Sequence, residues 1–217
     1  MPGFGQSEKP NLDYNIDFYV DILFEFCKML NLEVINIAGL SLGGMIAIEF
    51  AYRYPQNVKN LLIFSSSGLK PIAKILNYKI FYIIFSFIMK YIVFSNRWFT
   101  KRFQIGSYFN PKRIDPSVFD KFFEFIKYRE SKKAWLSAIK NVFYVTEDFI
   151  NHVRGLRVNT IIIWGKNDKT IPLEIGYKFN TLINNSKLFV IDECGHTLTV
   201  EQPSKVVDII INELIKK

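Results

Sequence analysis

The segment Gly39-Leu40-Ser41-Leu42-Gly43 constrains the fold most, because it sets a serine in a tight turn between two regular elements. The short β-branched run at residues 34–38 predicts a buried strand before it. Residues 44–53 predict a helix that stops before Pro55. Flanking glycines permit a strained turn that lifts the serine hydroxyl out at the edge of a sheet. The backbone N–H of Leu42, at the start of the helix, is expected to point into the space in front of that hydroxyl.

The rest of the chain predicts an α/β fold, a parallel sheet flanked by helices. Further apolar strands are expected at residues 58–64, 158–164 and 187–191, and helices at 17–30 and 203–217. Val206, Val207, Ile210 and Leu214 are expected on the apolar side of the last helix. Strands that alternate with helices favour a parallel sheet covered on both faces. Residues 69–155 are aromatic-rich and helical in pattern, so we divide the chain into a core (1–68 and 156–217) and a helical cap insertion (69–155).

Composition narrows the possible partners. The chain has 217 residues and a formal net charge of +8, and its lysines are scattered. Scattered charge is typical of a solvated basic surface, and no nucleic-acid partner is expected. The two cysteines, Cys27 and Cys194, form no C-x-x-C pair. They are therefore expected to be reduced thiols of a cytoplasmic protein.

One apolar stretch requires a test against a membrane-spanning helix. Apolar character runs from residue 72 to 94, interrupted by Lys74, Lys79 and Lys90. The uninterrupted part is about half of the roughly 20 residues that a span requires. A buried or lid helix is therefore favoured, with Phe81, Phe85 and Met89 on one face as candidate pocket residues. Peripheral membrane contact through residues 80–94 remains open.

Three polar residues, each at the end of a predicted strand, form a candidate catalytic set. Ser41 follows the first strand, Asp168 the third and His196 the fourth. The carboxyl ends of parallel strands are where open α/β folds hold their sites. A serine nucleophile needs a base, and the base needs an orienting acid. The chain order of the three residues is that of the Ser-Asp-His triad built on a Gly-x-Ser-x-Gly turn.

The remaining polar residues predict no cofactor and no metal. The chain has only two histidines, and His152 lies in a predicted helix with no evident partner. Two isolated histidines without clustered carboxylates make a poor metal-ligand set. The glycines around Ser41 lack the G-x-G-x-x-G spacing of a nucleotide-binding turn.

Four segments resemble the α/β-hydrolase superfamily, in particular its small cap-bearing members. They are residues 2–7, 39–44, 164–172 and 194–203, which resemble the loop after the family's fourth strand, the serine turn, the acid loop and the histidine loop. The resemblance implies a serine hydrolase that cleaves a carboxylic ester, thioester or related acyl bond of a small or lipid-like substrate. A C–C bond hydrolase remains an alternative. A serine nucleophile argues against the haloalkane dehalogenase and epoxide hydrolase branches, which attack with a carboxylate.

The chain also departs from the family pattern. Members of the superfamily carry four strands before the loop that residues 2–7 resemble. We therefore expect an N-terminally truncated core, either a fragment or a truncated gene model. There are two alternatives. In the first, a partner chain supplies the missing strands. In the second, the protein is a non-catalytic or weakly active remnant. Leu42 N–H is the only oxyanion donor that can be named, and removing one such donor has cost about 2.7–4 kcal/mol of transition-state stabilisation in a protease.

Overall fold

A computed structural model of the protein describes residues 1–69, 79–143 and 146–215, and a parallel sheet lies at its centre. Among the described residues the sheet has four strands, in the order β1-β2-β3-β4. The strands are β1 (Ile35–Leu40), β2 (Val58–Phe64), β3 (Asn159–Gly165) and β4 (Ser186–Ile191). The helices are α1 (Ile16–Met29), α2 (Leu42–Arg53), α3 (Lys79–Ile88), α4 (Arg97–Ile105), α5 (Pro116–Ile126), α6 (Arg129–Phe143), α7 (Glu147–Arg154), α8 (Leu173–Leu182), α9 (Leu198–Glu201) and α10 (Pro203–Leu214). The predicted fold class is confirmed.

The predicted strands lie within two residues of the observed ones. β2 has the predicted bounds, whereas β1 and β3 extend farther toward their carboxyl ends. Helix α8 between β3 and β4 is absent from the prediction. Parallel neighbours need a crossover connection, usually a helix, so the two strands themselves require one here.

Alternating side chains of the strands build a core on each face of the sheet. Ile161 and Ile163 of β3 pack with Val206 of α10 on one face. Ile162 and Trp164 belong to the larger cluster on the other face, with residues of α1, α2, α7 and α8. Successive side chains of a strand point to opposite faces of the sheet, and both faces are covered here. The sequence of β3 is therefore an unbroken apolar run.

The apolar side of α10 differs from the predicted one at one position. Val206 is buried, and Ile210 and Leu214 pack against the same cluster, as predicted. Val207 is 50% exposed, so its assignment is wrong, and Ile209 packs against the core instead.

Helices α3 to α6, between β2 and β3, have a core of their own. Met89, Phe94, Ile126 and Leu136 form this buried cluster. Met89 is thus used in packing within these helices, and Phe81 is 42% exposed. The expected pocket-lining face of Phe81, Phe85 and Met89 is therefore wrong. The placement of the cap boundaries at residues 69 and 155 stays a prediction.

Helix α7 packs with the sheet-bearing part of the molecule, through an interaction that the sequence did not predict. Its Phe149 and Val153 are buried in the larger cluster. His152 Nδ1 lies 2.8 Å from Oε2 of Glu49, a residue of α2 that is only 3% exposed. The imidazole also stacks on Tyr52, with ring centroids 4.0 Å apart. His152, which shows no partner in the sequence, joins α7 to α2.

The turn between β1 and α2 needs glycine at two positions. A Cβ on Gly39 would overlap the carbonyl oxygen of Gly43, and a Cβ on Gly44 would overlap the Ser66 side chain. A Cβ on Gly43 would meet nothing within 4 Å. The close contact of α2 with the end of β2 therefore depends on Gly44, whereas Gly43 is sterically free.

Substitution of these two neighbouring glycines should give opposite results. Gly44→Ala should lower the free energy of unfolding by about 1–3 kcal/mol, the usual cost of overpacking. Gly43→Ala should leave it unchanged or raise it by up to about 1 kcal/mol, because alanine favours a helix. Urea unfolding followed by circular dichroism measures both. Equal stability of the two variants would contradict the steric account.

Candidate active site

Ser41 occupies a strained conformation between β1 and α2. Its φ is 56° and its ψ is −117°, in a region where residues with a side chain are rare. Such strain costs of the order of 1–3 kcal/mol and persists only where the surroundings enforce it. Here Ser41 N donates to the Phe64 carbonyl, and Ser67 N donates to the Ser41 carbonyl. The end of β2 thus holds the turn from both sides.

The Ser41 side chain is not used to cap the helix that follows it. Ser41 is the N-cap of α2, yet its hydroxyl makes no capping hydrogen bond. Leu42 follows it as the first residue of α2. The first amides of a helix lack partners inside the helix and attract negative charge. The turn therefore presents a hydroxyl beside the positive end of a helix.

Asp168 and His196 meet through a direct hydrogen bond. His196 Nδ1 lies 2.8 Å from Asp168 Oδ2, and both residues are buried. The other carboxylate oxygen, Oδ1, accepts from the backbone N–H groups of Thr170 and Ile171, each at 2.8 Å. A carboxylate fixed in this way holds the imidazole ring in one orientation and tautomer. Nε2 is then the ring nitrogen left for chemistry.

Glycines allow the loops that carry Asp168 and His196 to approach each other closely. A Cβ on Gly165 would overlap the carbonyl oxygen of Gly195. Asn167 N also donates to the Cys194 carbonyl at 2.9 Å, joining the loop after β3 to the loop after β4. The separation between the acid and the base is therefore set by backbone contacts as well as by their own hydrogen bond.

Ser41, Asp168 and His196 follow the carboxyl ends of β1, β3 and β4, at one edge of the sheet. Only Asp168 and His196 are joined directly. In the part of the chain that the structure describes, no hydrogen bond connects Ser41 to either residue. Catalytic hydrogen bonds are often long without substrate and tighten only in the complex. The catalytic assignment of the three residues, with Leu42 as oxyanion donor, stays a prediction.

Glu201 supports the histidine loop, a role that the sequence analysis missed. Its Oε1 accepts from Gly195 N at 3.0 Å, and its Oε2 accepts from Phe109 N at 2.7 Å. Burial raises the pKa of this carboxyl, and the backbone N–H groups that it accepts from act in the opposite direction. His196 N in turn donates to the Ser107 carbonyl at 2.8 Å. The segment after α4 is thereby joined to the loop that carries His196. A glutamate five residues after the histidine was the only sequence signal for this contact.

The neighbouring thiol does not compete with Ser41 as a nucleophile. Cys194 is fully buried, and burial raises the pKa of its thiol to about 12. The thiolate is the reactive form of cysteine, so this side chain is inert near neutral pH. Both Cys27 and Cys194 are free and buried.

An apolar cleft of about 410 Å³ opens over Ser41. Among the described residues its lining is the turn itself together with Met1, Phe4, Ala38, Trp135 and Ile139. None of these has a charged side chain. Trp135 and Ile139 come from α6, so the inserted helices cover one side of the cleft. In the same described part of the chain, no group of three or more His, Cys, Asp or Glu residues could hold a metal ion.

Known proteins resemble this chain in sequence and in fold. Residues 1–83 match the family model of the alpha/beta hydrolase fold. The 2-hydroxy-6-oxo-6-(2'-aminophenyl)hexa-2,4-dienoic acid hydrolase of Metapseudomonas resinovorans is 26% identical over 94% of this chain and 68% of its own length.

Two solved structures share the fold over nearly the whole chain. A serine hydrolase involved in carbazole degradation has a TM-score of 0.82 and 23% identity, over 100% of this chain and 78% of its own. An esterase from Exiguobacterium antarcticum also has a TM-score of 0.82, with 18% identity over 98% of this chain and 78% of its own. The family model over residues 1–83, the relative and the solved structures agree, and the chain has the α/β-hydrolase fold.

Proposed function

We propose that this chain is a serine hydrolase that cleaves a carboxylic ester, thioester or related acyl bond. The observation that carries the proposal is the buried hydrogen bond between Asp168 and His196 at the sheet edge that also holds the strained Ser41 turn. A buried carboxylate that fixes an imidazole is what a serine nucleophile requires of its base. No cofactor is needed for this chemistry.

The mechanism assigns one task to each residue. His196 Nε2 takes the proton of Ser41 Oγ as the hydroxyl attacks the acyl carbon. Asp168 stabilises the imidazolium that forms, and Leu42 N–H donates to the developing oxyanion. His196 then gives the proton to the leaving alcohol or thiol, and an acyl-serine remains. A water that loses a proton to His196 attacks this ester, and collapse of the intermediate returns the proton to Ser41 and releases the acid.

The lining of the cleft supports an uncharged acyl group as substrate. Phe4, Trp135 and Ile139 offer apolar contacts next to Ser41, and none of the described lining residues has a charged side chain. A carboxylate brought into such a cleft would lose its hydration without gaining a charged side chain of the described lining as partner. Esters or thioesters of apolar acids fit the described lining better than acidic substrates do.

A second candidate is hydrolysis of a C–C bond in a hydroxy-oxo-dienoic acid. It is favoured by the Metapseudomonas resinovorans relative, whose name describes such an activity and which aligns with 94% of this chain. A dienoic acid carries a carboxylate, so this candidate requires a cation near the cleft.

Active-site labelling tests the assignment of the nucleophile. A fluorophosphonate probe should label the folded chain, and Ser41→Ala should abolish labelling because the attacking oxygen is removed. Asp168→Asn should slow labelling by up to about 10⁴-fold, the cost of the wrong imidazole tautomer in a serine protease. Ser204→Ala, at an exposed serine of α10, is the matched control and should label like the wild type. A folded wild-type chain that does not react would overturn the proposal.

A substrate panel separates the two candidate activities. We expect kcat/KM for p-nitrophenyl esters to rise with acyl length. Each methylene buried in the cleft should stabilise the bound substrate and transition state by up to about 0.8 kcal/mol. Hydrolysis of 2-hydroxy-6-oxo-hexa-2,4-dienoic acids, followed by the loss of their absorbance, should be slower. Faster turnover of the dienoic acids, abolished by Ser41→Ala, would favour the second candidate.

Glu201 is a positioning residue in this scheme. Glu201→Gln keeps one carbonyl oxygen, so a backbone N–H group bound to the other oxygen loses its acceptor. That loss should lower the free energy of unfolding by about 1–3 kcal/mol. Because the groups affected support the His196 loop, kcat should fall while KM changes little. Glu174→Gln, at an exposed position of α8, is the control. An unchanged kcat in a variant with lower stability would reduce Glu201 to a purely structural role.

A further inference from the structure

A run of exposed apolar side chains lies along the inserted helices α3 and α4. Helix α3 continues into a π-helical turn, Met89–Val93. Eight large side chains along this run are at least 41% exposed: Ile80, Phe81, Ile83, Ile84, Phe87, Ile88, Tyr91 and Ile92. Helix α4 adds Trp98, Phe99 and Phe103, with Trp98 65% exposed. Apolar patches of this kind on a protein surface mark a binding site.

The inner side of the same run is fixed to its neighbours. Met89 and Phe94 are buried against Ile126 and Leu136. Phe94 also meets Trp135 edge to face, with ring centroids 4.8 Å apart. The packing of these helices therefore uses one side of the run and leaves the opposite side, which is almost wholly apolar, facing outward.

The charged residues within this surface have one sign. Residues 79–105 contain five basic residues and no acidic one. Arg97 is paired with Asp120 of α5. Lys79, Lys101 and Arg102 are exposed beside the apolar side chains. An apolar strip flanked by cations matches the chemistry of an anionic lipid surface.

We propose that α3, the π-helical turn and α4 form a docking surface for a bilayer that contains anionic lipids. In this arrangement the helices lie in the headgroup region, with Ile84 and Phe87 toward the acyl chains and the lysines and arginines at the phosphates. A second copy of the chain is the weaker occupant, because it would bring two sets of uncompensated cations together.

The described helices favour lying on the bilayer over crossing it. No single described helix is both long and apolar enough to span a membrane. Two consecutive helical segments, Lys79–Val93 and Arg97–Ile105, are together long and apolar enough to span a membrane. The chain is bent by 120° at the break between them. Fifteen helical residues, 79 to 93, extend about 22 Å against a hydrocarbon core of about 30 Å.

Vesicle co-sedimentation tests the proposal without reference to catalysis. The full chain should sediment with vesicles of phosphatidylcholine mixed with phosphatidylglycerol, and much less with phosphatidylcholine alone. Ile84→Glu should reduce the bound fraction about tenfold or more, because a carboxylate replaces an inserted side chain. Val207→Glu, at an equally exposed aliphatic residue of α10, should bind like the wild type. Lys101→Gln combined with Arg102→Gln should weaken binding to the anionic vesicles alone.

Three results would overturn the proposal. The first is wild-type protein that stays in the supernatant with anionic vesicles. The second is equal vesicle binding by Ile84→Glu and Val207→Glu, with both variants folded by circular dichroism. The third is a dimer in analytical ultracentrifugation without lipid that Ile84→Glu dissociates, which would assign the surface to a second copy. Fluorophosphonate labelling of Ser41 is independent of all three, so failure here leaves the proposed hydrolase activity standing.

Discussion

The close steric fit of the turn between β1 and α2 is the constraint on which the site depends. The turn brings Gly39 against the Gly43 carbonyl and Gly44 against Ser66, and it holds Ser41 at a positive φ. No side chain larger than hydrogen fits at Gly39 or Gly44 without movement. Since the parallel pairing of β1 with β2 fixes Phe64 and Ser67 beside the turn, the strain at Ser41 is maintained by the sheet and not by the serine itself.

The position of His196 depends on two layers of the molecule. Toward the sheet, its loop packs on Gly165 and its imidazole meets Asp168. Toward the inserted helices, its backbone N–H donates to Ser107. Glu201 makes the same connection again between Gly195 and Phe109. Movement of the segment after α4 would therefore move the base, which couples the inserted helices to the site.

The sequence predicted features that depend on local pattern, and it missed those that depend on tertiary contact. The bounds of β2 and the placement of Asp168 and His196 after β3 and β4 follow from apolar runs and their ends. The partner of His152 could not be predicted, because Glu49 is 103 residues away in the chain. The exposure of Phe81 and Val207 also depends on tertiary contacts. Helical periodicity predicts which residues share a face but not which element covers that face. The importance of Gly44 over Gly43 depends on Ser66, which no motif includes.

Helix α6 relates the site to the outer surface of the inserted helices. Trp135 lines the cleft over Ser41 and also packs edge to face on Phe94, which follows directly on the π-helical turn. The cleft side has no charged side chain among its described lining, and the outer side is apolar with a basic border. Both sides favour molecules of low polarity. The two proposals therefore call for the same class of substrate, although each is supported by different residues.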